Sequence, residues 1–274
     1  MTKQSGKEFL QVKLPITKNK KKFFLIGVLQ LFLFIILLIS LCIVSSINWY
    51  YSIIGEVTVS LFAVLPYAYI TINSDKFRVK YREKYGNLAF QKFWYRFLSY
   101  NEPLSATGLF FPILLKTDYF LPRIIDLPSH FMTDTLLKIY FALPLGIFLA
   151  ILGLLIRRPT GGYDSDIGSY LYLIYPEDSR KLSGGLYSFI RHPNYAGRGF
   201  VALGIGFLAN NLLAICLSFI HFLFFYILSK IEDRELVKRF GQNFIDYKTK
   251  TPAMIPKLRK SKAFLKMVFL GEKN

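Results

Sequence analysis

Cysteine is scarce in this chain. Its 274 residues include two, Cys42 and Cys216, and both lie inside apolar runs. That excludes a disulfide framework and argues against a zinc site, so no metal is expected. Charge is scarce too. Charged residues make up 19% of the chain, where a soluble domain carries about a quarter. Acids are the scarcer sign, 17 against 35 lysines and arginines, for a formal net charge of +18. Such an excess would suit nucleic acid, but no recognisable binding module accompanies it. The basic residues lie between apolar runs instead, the pattern of cytoplasmic loops facing anionic lipid.

Apolar length is what the chain has in plenty. Hydrophobic residues make up 53% of it and aromatic ones 17%. Residues 23–43 read FFLIGVLQLFLFIILLISLCI, with Gln30 and Ser40 as the only polar side chains. A membrane span needs about 20 such residues. The run is too long, and starts too far in, for a signal-peptide core with a small-residue cleavage site. The first 22 residues carry seven lysines and one acid, which places the N-terminus in the cytoplasm. Residues 53–72 return through the membrane. Residues 75–100 alternate lysines and arginines with aromatics, which predicts an amphipathic helical stretch on the cytoplasmic face.

Parity then fixes the remaining crossings. Residues 136–156 form a clean span that stops at Arg157, Arg158 and Pro159. The loop 157–194 and the tail from Lys230 are both basic, so both belong on the cytoplasmic side. The apolar runs 197–209 and 212–229 must therefore form a hairpin that turns at Asn210 and Asn211. A further crossing is needed before residue 136, and 104–121, interrupted by Pro112, Lys116 and Asp118, is the candidate. The expected architecture is an all-α, multi-pass integral membrane protein. It has about six membrane segments, the third irregular, and a C-terminal cytoplasmic pocket. Residues 1–134 form an N-terminal membrane region that resembles no family we can name, and 135–274 form the core with its basic tail.

Two stretches carry candidate chemistry. The first is SFIRHPNYAGRGF, residues 188–200. Pro193 suits the first turn of a helix. A helix N-terminus behind Arg191 and His192 attracts an anionic group. Gly197, Gly199, Gly204 and Gly206 leave that helix with little bulk, either for close helix packing or for a flat ligand. The second stretch is the charged end of the last long helix, with Glu232, Asp233 and Glu235. It is either a solvated helix end or an acid turned inward. Phe225, Leu228, Glu232 and Leu236 share one helical stripe with His221, which favours Glu232 as the inward acid. His221 lies about 16 Å from Glu232 along the helix, within the bilayer. An intramembrane histidine is a functional suspect by default, but a lone one is expected to find a backbone partner.

Taken in order, GGLYSFIRHPNYAGRG, an apolar hairpin, EDREL and RFGQNFIDYKTKTPAMIP resemble the isoprenylcysteine carboxyl methyltransferase family. These are integral membrane enzymes related to the phospholipid N-methyltransferases. The resemblance covers residues 179–256. It implies S-adenosylmethionine as cofactor, held on the cytoplasmic side by Ser179, Arg180, Lys181, Leu182, Tyr187, His192, Pro193, Asn194, Tyr195 and Glu232. It also implies a lipid or lipidated acceptor, a prenylcysteine carboxylate or a lipid head group. Two positions depart from the family pattern. Leu228 stands where the family often has a substrate-binding arginine, leaving Arg198 and Lys230 as the nearby candidates for that role. Phe244 replaces the first tyrosine of the last motif, while Tyr247 is retained. Membrane sterol reductases share R-H-P-N-Y, a hairpin and an acid-bearing helix, and would make this an NADPH-dependent reductase. A non-catalytic membrane protein on the same scaffold is the third possibility.

Overall fold

The structure is a computed structural model that describes residues 12–115, 131–158, 170–179 and 184–271. These residues are helical, apart from turns and one isolated bridge between Thr135 and Asn211. Among the described residues, four helices are long and apolar enough to cross a membrane: α1, Lys20–Ile47; α2, Trp49–Ile72; α5, Ile139–Arg157; and α7, Leu212–Phe240. Between α2 and α5 lie α3, Ser74–Tyr85, and α4, Asn101–Phe110. The hairpin is α6, Pro193–Ala209, followed by α7. After α7 come α8, Gln242–Lys250, and α9, Ser261–Leu270.

The hairpin turns where the two asparagines predict it. Asn210 adopts the left-handed conformation, φ 58°, which asparagine tolerates better than most residues. Its side chain accepts from the Leu137 amide at 3.0 Å and donates to the Leu137 carbonyl at 2.8 Å. Asn211 caps α7 by accepting from the Ala214 amide at 2.8 Å, and donates to the Leu115 carbonyl. The starts of α5 and α7 and the end of α6 therefore meet at one face, here the hinge face. The other ends meet at the opposite face, here the mouth. There Arg157 of α5 donates to Asn194 of α6 at 3.1 Å.

The irregular third segment runs between the same two faces as far as it is described. Asn101 donates to the Tyr170 hydroxyl at 2.9 Å near the mouth, and Leu115 reaches Asn211 at the hinge. It is α4 followed by a tight 3-10 stretch, Phe111–Leu115, with Pro112 at the change of winding. Residues 116–121 of the expected segment lie outside the described residues.

Residues 75–100 depart from expectation. The stretch is helical in pieces: α3 ends at Gly86, φ 50°, and a short helix and a π-helical turn follow. Tyr81, Phe90, Phe93 and Trp94 bury against Tyr67, Leu171 and Ile174. The aromatics between the charges thus build a protein core and are not spread on a lipid surface.

The glycines of α6 resolve as helix packing. A Cβ on Gly204 would sit 2.6 Å from the Ala150 backbone nitrogen of α5, and one on Gly206 would sit 2.9 Å from Ser218 Cβ of α7. Gly197 faces Gly153 of α5, and Gly199 faces the Phe222 ring of α7. Both sides of α6 are filled, so no flat ligand and no lipid portal lies along these glycines.

Candidate functional site

A latch at the mouth ties three segments together. The Arg191 guanidinium grips Asp233 of α7 with two bonds, Nε to Oδ1 at 3.2 Å and Nη2 to Oδ2 at 2.6 Å. Its third nitrogen donates to the Lys248 carbonyl at 3.1 Å and to the Thr251 carbonyl. The backbone amides of Arg191 and His192 donate to the carbonyls of Pro252 and Ala253, each at 2.9 Å. Both charged side chains are buried, and a buried pair of this kind is tolerable only when its remaining bonds are made. Arg191 is therefore committed to the latch, although part of it also lines the neighbouring cavity.

His192 stands between two carboxylates. Its Nε2 lies 2.9 Å from Asp233 Oδ1, and its Nδ1 lies 3.6 Å from Glu232 Oε2. Burial pulls its pKa down, but the hydrogen bonds and charges of Asp233 and Glu232 outweigh this and hold it above the ordinary 6.5. The imidazolium can donate from both nitrogens, which fits both neighbours. Glu232 and Asp233 thus both turn inward from consecutive positions. Asp233 serves the latch, and Glu232 faces a partly open cavity.

Of the residues expected from the sequence, Tyr187, His192, Pro193, Asn194, Tyr195 and Glu232 line this cavity, and so does Arg198. Burial, with the charge of Glu232 adding to it, pushes the Tyr187 hydroxyl up to about 12, so the phenol stays protonated. Tyr247 donates from its hydroxyl to the Tyr187 backbone carbonyl, and Phe244 is buried. Arg198 donates to Ser105 Oγ at 3.1 Å and lies 3.4 Å from Glu102. Ser179 does not line the cavity, and its hydroxyl donates to the Pro176 carbonyl at 2.6 Å. Arg180, Lys181 and Leu182 lie outside the described residues. Lys230 is exposed, with its ammonium 4.9 Å from the Tyr226 ring centre and away from the lining.

The cavity is deeper than the motifs suggest. An aromatic row descends from the mouth. His192 stacks on Tyr195 at 5.7 Å, Tyr195 stacks on Phe225 at 6.0 Å, and Phe225 meets His221 edge to face at 5.0 Å. His221 and Ser60 line the inner end. The expected backbone partner of His221 is replaced by Glu56 of α2, whose Oε1 lies 3.2 Å from Nδ1. Glu56 was legible as a suspect, since it is the only acid or base between residues 23 and 72. Residues 1–134 thus supply part of the wall: Ser60, Asn101, Glu102 and Ser105.

Residues 141–243 match the family model described as phospholipid methyltransferase. The chain is similar to protein-S-isoprenylcysteine O-methyltransferase of Schizosaccharomyces pombe, 33% identical over 81 residues, 29% of this chain and 34% of that protein. It is similar to the protein of the same name from Xenopus laevis, 26% identical over 114 residues, 41% of this chain and 40% of that one. Protein-S-isoprenylcysteine O-methyltransferase B of Arabidopsis thaliana is 28% identical over 115 residues, 40% of this chain and 57% of that protein. The matched stretches thus span about a third to just over half the length of these curated relatives. No solved structure matches the chain. The resemblance carried by RHPNY and the acid of α7 holds over the matched region. These matches bear methyltransferase names and lend nothing to the reductase alternative.

Proposed function

We propose, from the match of residues 141–243 to the phospholipid methyltransferases, that this chain is an integral membrane methyltransferase using S-adenosylmethionine on a lipophilic acceptor. The observation that carries the reading is a single cavity with two unlike ends. Its mouth holds a carboxylate and an imidazole, and its depth lies between two helices apolar enough to cross a membrane. A polar cofactor and an apolar acceptor must meet where the two solvents meet.

The mouth fits the cofactor's chemistry. Glu232 is placed to accept hydrogen bonds from an ammonium or from ribose hydroxyls. Tyr187 offers a ring face to a purine or a sulfonium, and Tyr195, stacked between His192 and Phe225, forms the wall beside it. His192 keeps Glu232 turned to the cavity, and Pro193 and Asn194 fix the helix start beside it. In this proposal Arg180, Lys181 and Leu182, which precede the motif in the sequence, complete the shell. When bound, the cofactor supplies an electrophilic methyl group. The protein's part is to position and dehydrate the reacting pair.

The acceptor is proposed to be a prenylcysteine carboxylate, as the names of the relatives favour, with a lipid head group as the broader class. A carboxylate acceptor has no proton to lose, so the site needs a cation more than a base. Arg198 inside the cavity fits that need, and exposed Lys230 drops out of the proposal. The membrane arrangement proposed is six segments, with the mouth and both termini on the cytoplasmic side. Residues 1–134 complete the wall of a core formed by 135–274.

The test is transfer of a labelled methyl group by the purified protein to N-acetyl-S-farnesylcysteine and, separately, to phosphatidylethanolamine. Label that base releases as methanol identifies a methyl ester, and base-stable label identifies an N-methyl product. Absence of label in both acceptors, with S-adenosylhomocysteine failing to bind, overturns the reading.

A further inference from the structure

The inner end of the cavity contains two buried polar groups that the proposed methyl transfer leaves unexplained. Glu56 is fully buried and His221 nearly so, in helices long and apolar enough to cross a membrane. Glu56 Oε1 takes the His221 contact at 3.2 Å and a hydrogen bond from Ser60 Oγ at 3.0 Å. Glu56 Oε2 and His221 Nε2 have no hydrogen-bond partner among the described residues. A Cβ on Gly108 would lie 2.7 Å from Glu56 Oε1, so α4 closes over the pair from behind. His221 lines the cavity, while Glu56 stands behind it.

Proton counting says what this pair presents. With the carboxylate ionised and the imidazole protonated, Nδ1–H faces Glu56 and Nε2 carries a proton. With the proton on Glu56 instead, Nδ1 accepts it and the neutral ring again carries its proton on Nε2. Both placements leave the pair electrically neutral. Removing one more proton would leave a bare carboxylate among apolar helices, which is costly. Both of these placements offer an N–H at Nε2, and a buried donor left unmet is costly. A ligand oxygen would meet it.

Arg198 indicates which oxygen. Its guanidinium lies 5.8 Å from the centre of the Phe225 ring, and the His221 ring packs on the same Phe225 at 5.0 Å. A neutral donor and a cation therefore flank one ring at the depth beyond Tyr195. We propose that His221, oriented by Glu56, and Arg198 form an oxyanion-binding subsite at the inner end, which takes the carboxylate or phosphate oxygen of a lipid acceptor. This rests on the methyltransferase reading for what the subsite serves, but the binding itself does not. Glu232 lies about 16 Å away along α7, so the cofactor's end and the acceptor's end are separable.

Equilibrium binding to the full-length protein in nanodiscs tests this with three probes: N-acetyl-S-farnesylcysteine, lysophosphatidic acid and S-adenosylhomocysteine. His221→Phe keeps the ring's bulk and loses the N–H. It is expected to weaken one lipid probe about tenfold, the loss of one hydrogen bond to a charged group. S-adenosylhomocysteine affinity should stay within about twofold. His221→Gln, which returns an N–H near the Nε2 position, should recover most of the loss. Weakening of the farnesyl probe identifies a carboxylate subsite, and weakening of the phospholipid probe a phosphate one. Unchanged binding of both lipids by His221→Phe overturns the proposal. So does equal loss for all three probes without rescue by glutamine, which would make the pair structural. If S-adenosylhomocysteine fails to bind even the wild type, the methyltransferase reading falls, while the lipid arms still decide the subsite.

Discussion

Neighbouring acids do different work at the mouth. Glu232 and Asp233 are one residue apart, and both lie within reach of His192. Asp233 also holds Arg191 in two buried bonds, and Lys248 approaches it at 3.7 Å. Removing its charge strands a buried guanidinium, which costs about 3–5 kcal/mol. Glu232 faces the cavity and reaches the His192 ring at 3.6 Å, with no guanidinium bonded to it among the described residues. Asp233→Asn should therefore lower the thermal midpoint in detergent sharply. Glu232→Gln should leave the midpoint close to wild type and weaken S-adenosylhomocysteine binding by about 1–3 kcal/mol, the value of a hydrogen bond to a charged group. Differential scanning fluorimetry and calorimetry on the two variants separate the roles. Equal destabilisation by both would refute the division. The sequence pattern could choose Glu232, because the stripe through Phe225 and Leu228 points it inward. It could not assign Asp233, whose partner Arg191 is 42 residues away and meets it only after the hairpin closes. Glu56 stands out in the sequence as a lone charge, but its role is hidden for a different reason. A hydropathy average over α2 absorbs one acid among many apolar residues, and its partner His221 is 165 residues away.

Helix α6 owes its place to what its glycines omit. Close backbone approach is a matter of a few tenths of an ångström, and the sequence could show only that room existed, not what filled it. Gly204 lies against the α5 backbone, where an added Cβ would come 2.6 Å from Ala150 N. Gly27 in α1 has nothing within 4 Å of such a Cβ. Both glycines are helical, so alanine at either gains about 1 kcal/mol of helix propensity. At Gly27 that gain stands, and Gly27→Ala should be neutral or stabilising. At Gly204 the helices must move apart, and overpacking of this kind costs about 1–3 kcal/mol. Gly204→Ala should therefore lower the unfolding midpoint and, because α6 carries Tyr195 and Arg198, weaken lipid binding as well. Thermal unfolding of the two alanine variants is the measurement. A Gly204→Ala protein as stable as wild type would remove the packing argument.

At the scale of the whole molecule, the hinge and the mouth make sidedness testable. Asn210 holds Leu137, and Asn211 holds Leu115, so the chain is at the hinge at residues 115, 137 and 210. Arg157 holds Asn194, and Arg191 holds Asp233, so it is at the mouth at 157, 191 and 233. Helix α6, with 17 residues, is about 25 Å long and shorter than a typical span, but α5 and α7 flank it, and its ends are tied at both faces. In the proposed arrangement the basic residues near the mouth put that face on the cytoplasmic side. The low cysteine count makes the experiment direct. With Cys42 and Cys216 replaced by alanine, a single cysteine at Lys248 reports the mouth, and one at Tyr50, exposed at the start of α2, reports the opposite face. In intact cells a membrane-impermeant maleimide should label Tyr50→Cys and leave Lys248→Cys unreacted until the membrane is opened. Labelling of Lys248→Cys in sealed cells would invert the arrangement. It would also separate the cavity mouth from any cytoplasmic pool of cofactor, so the topology and the proposed chemistry would fall together.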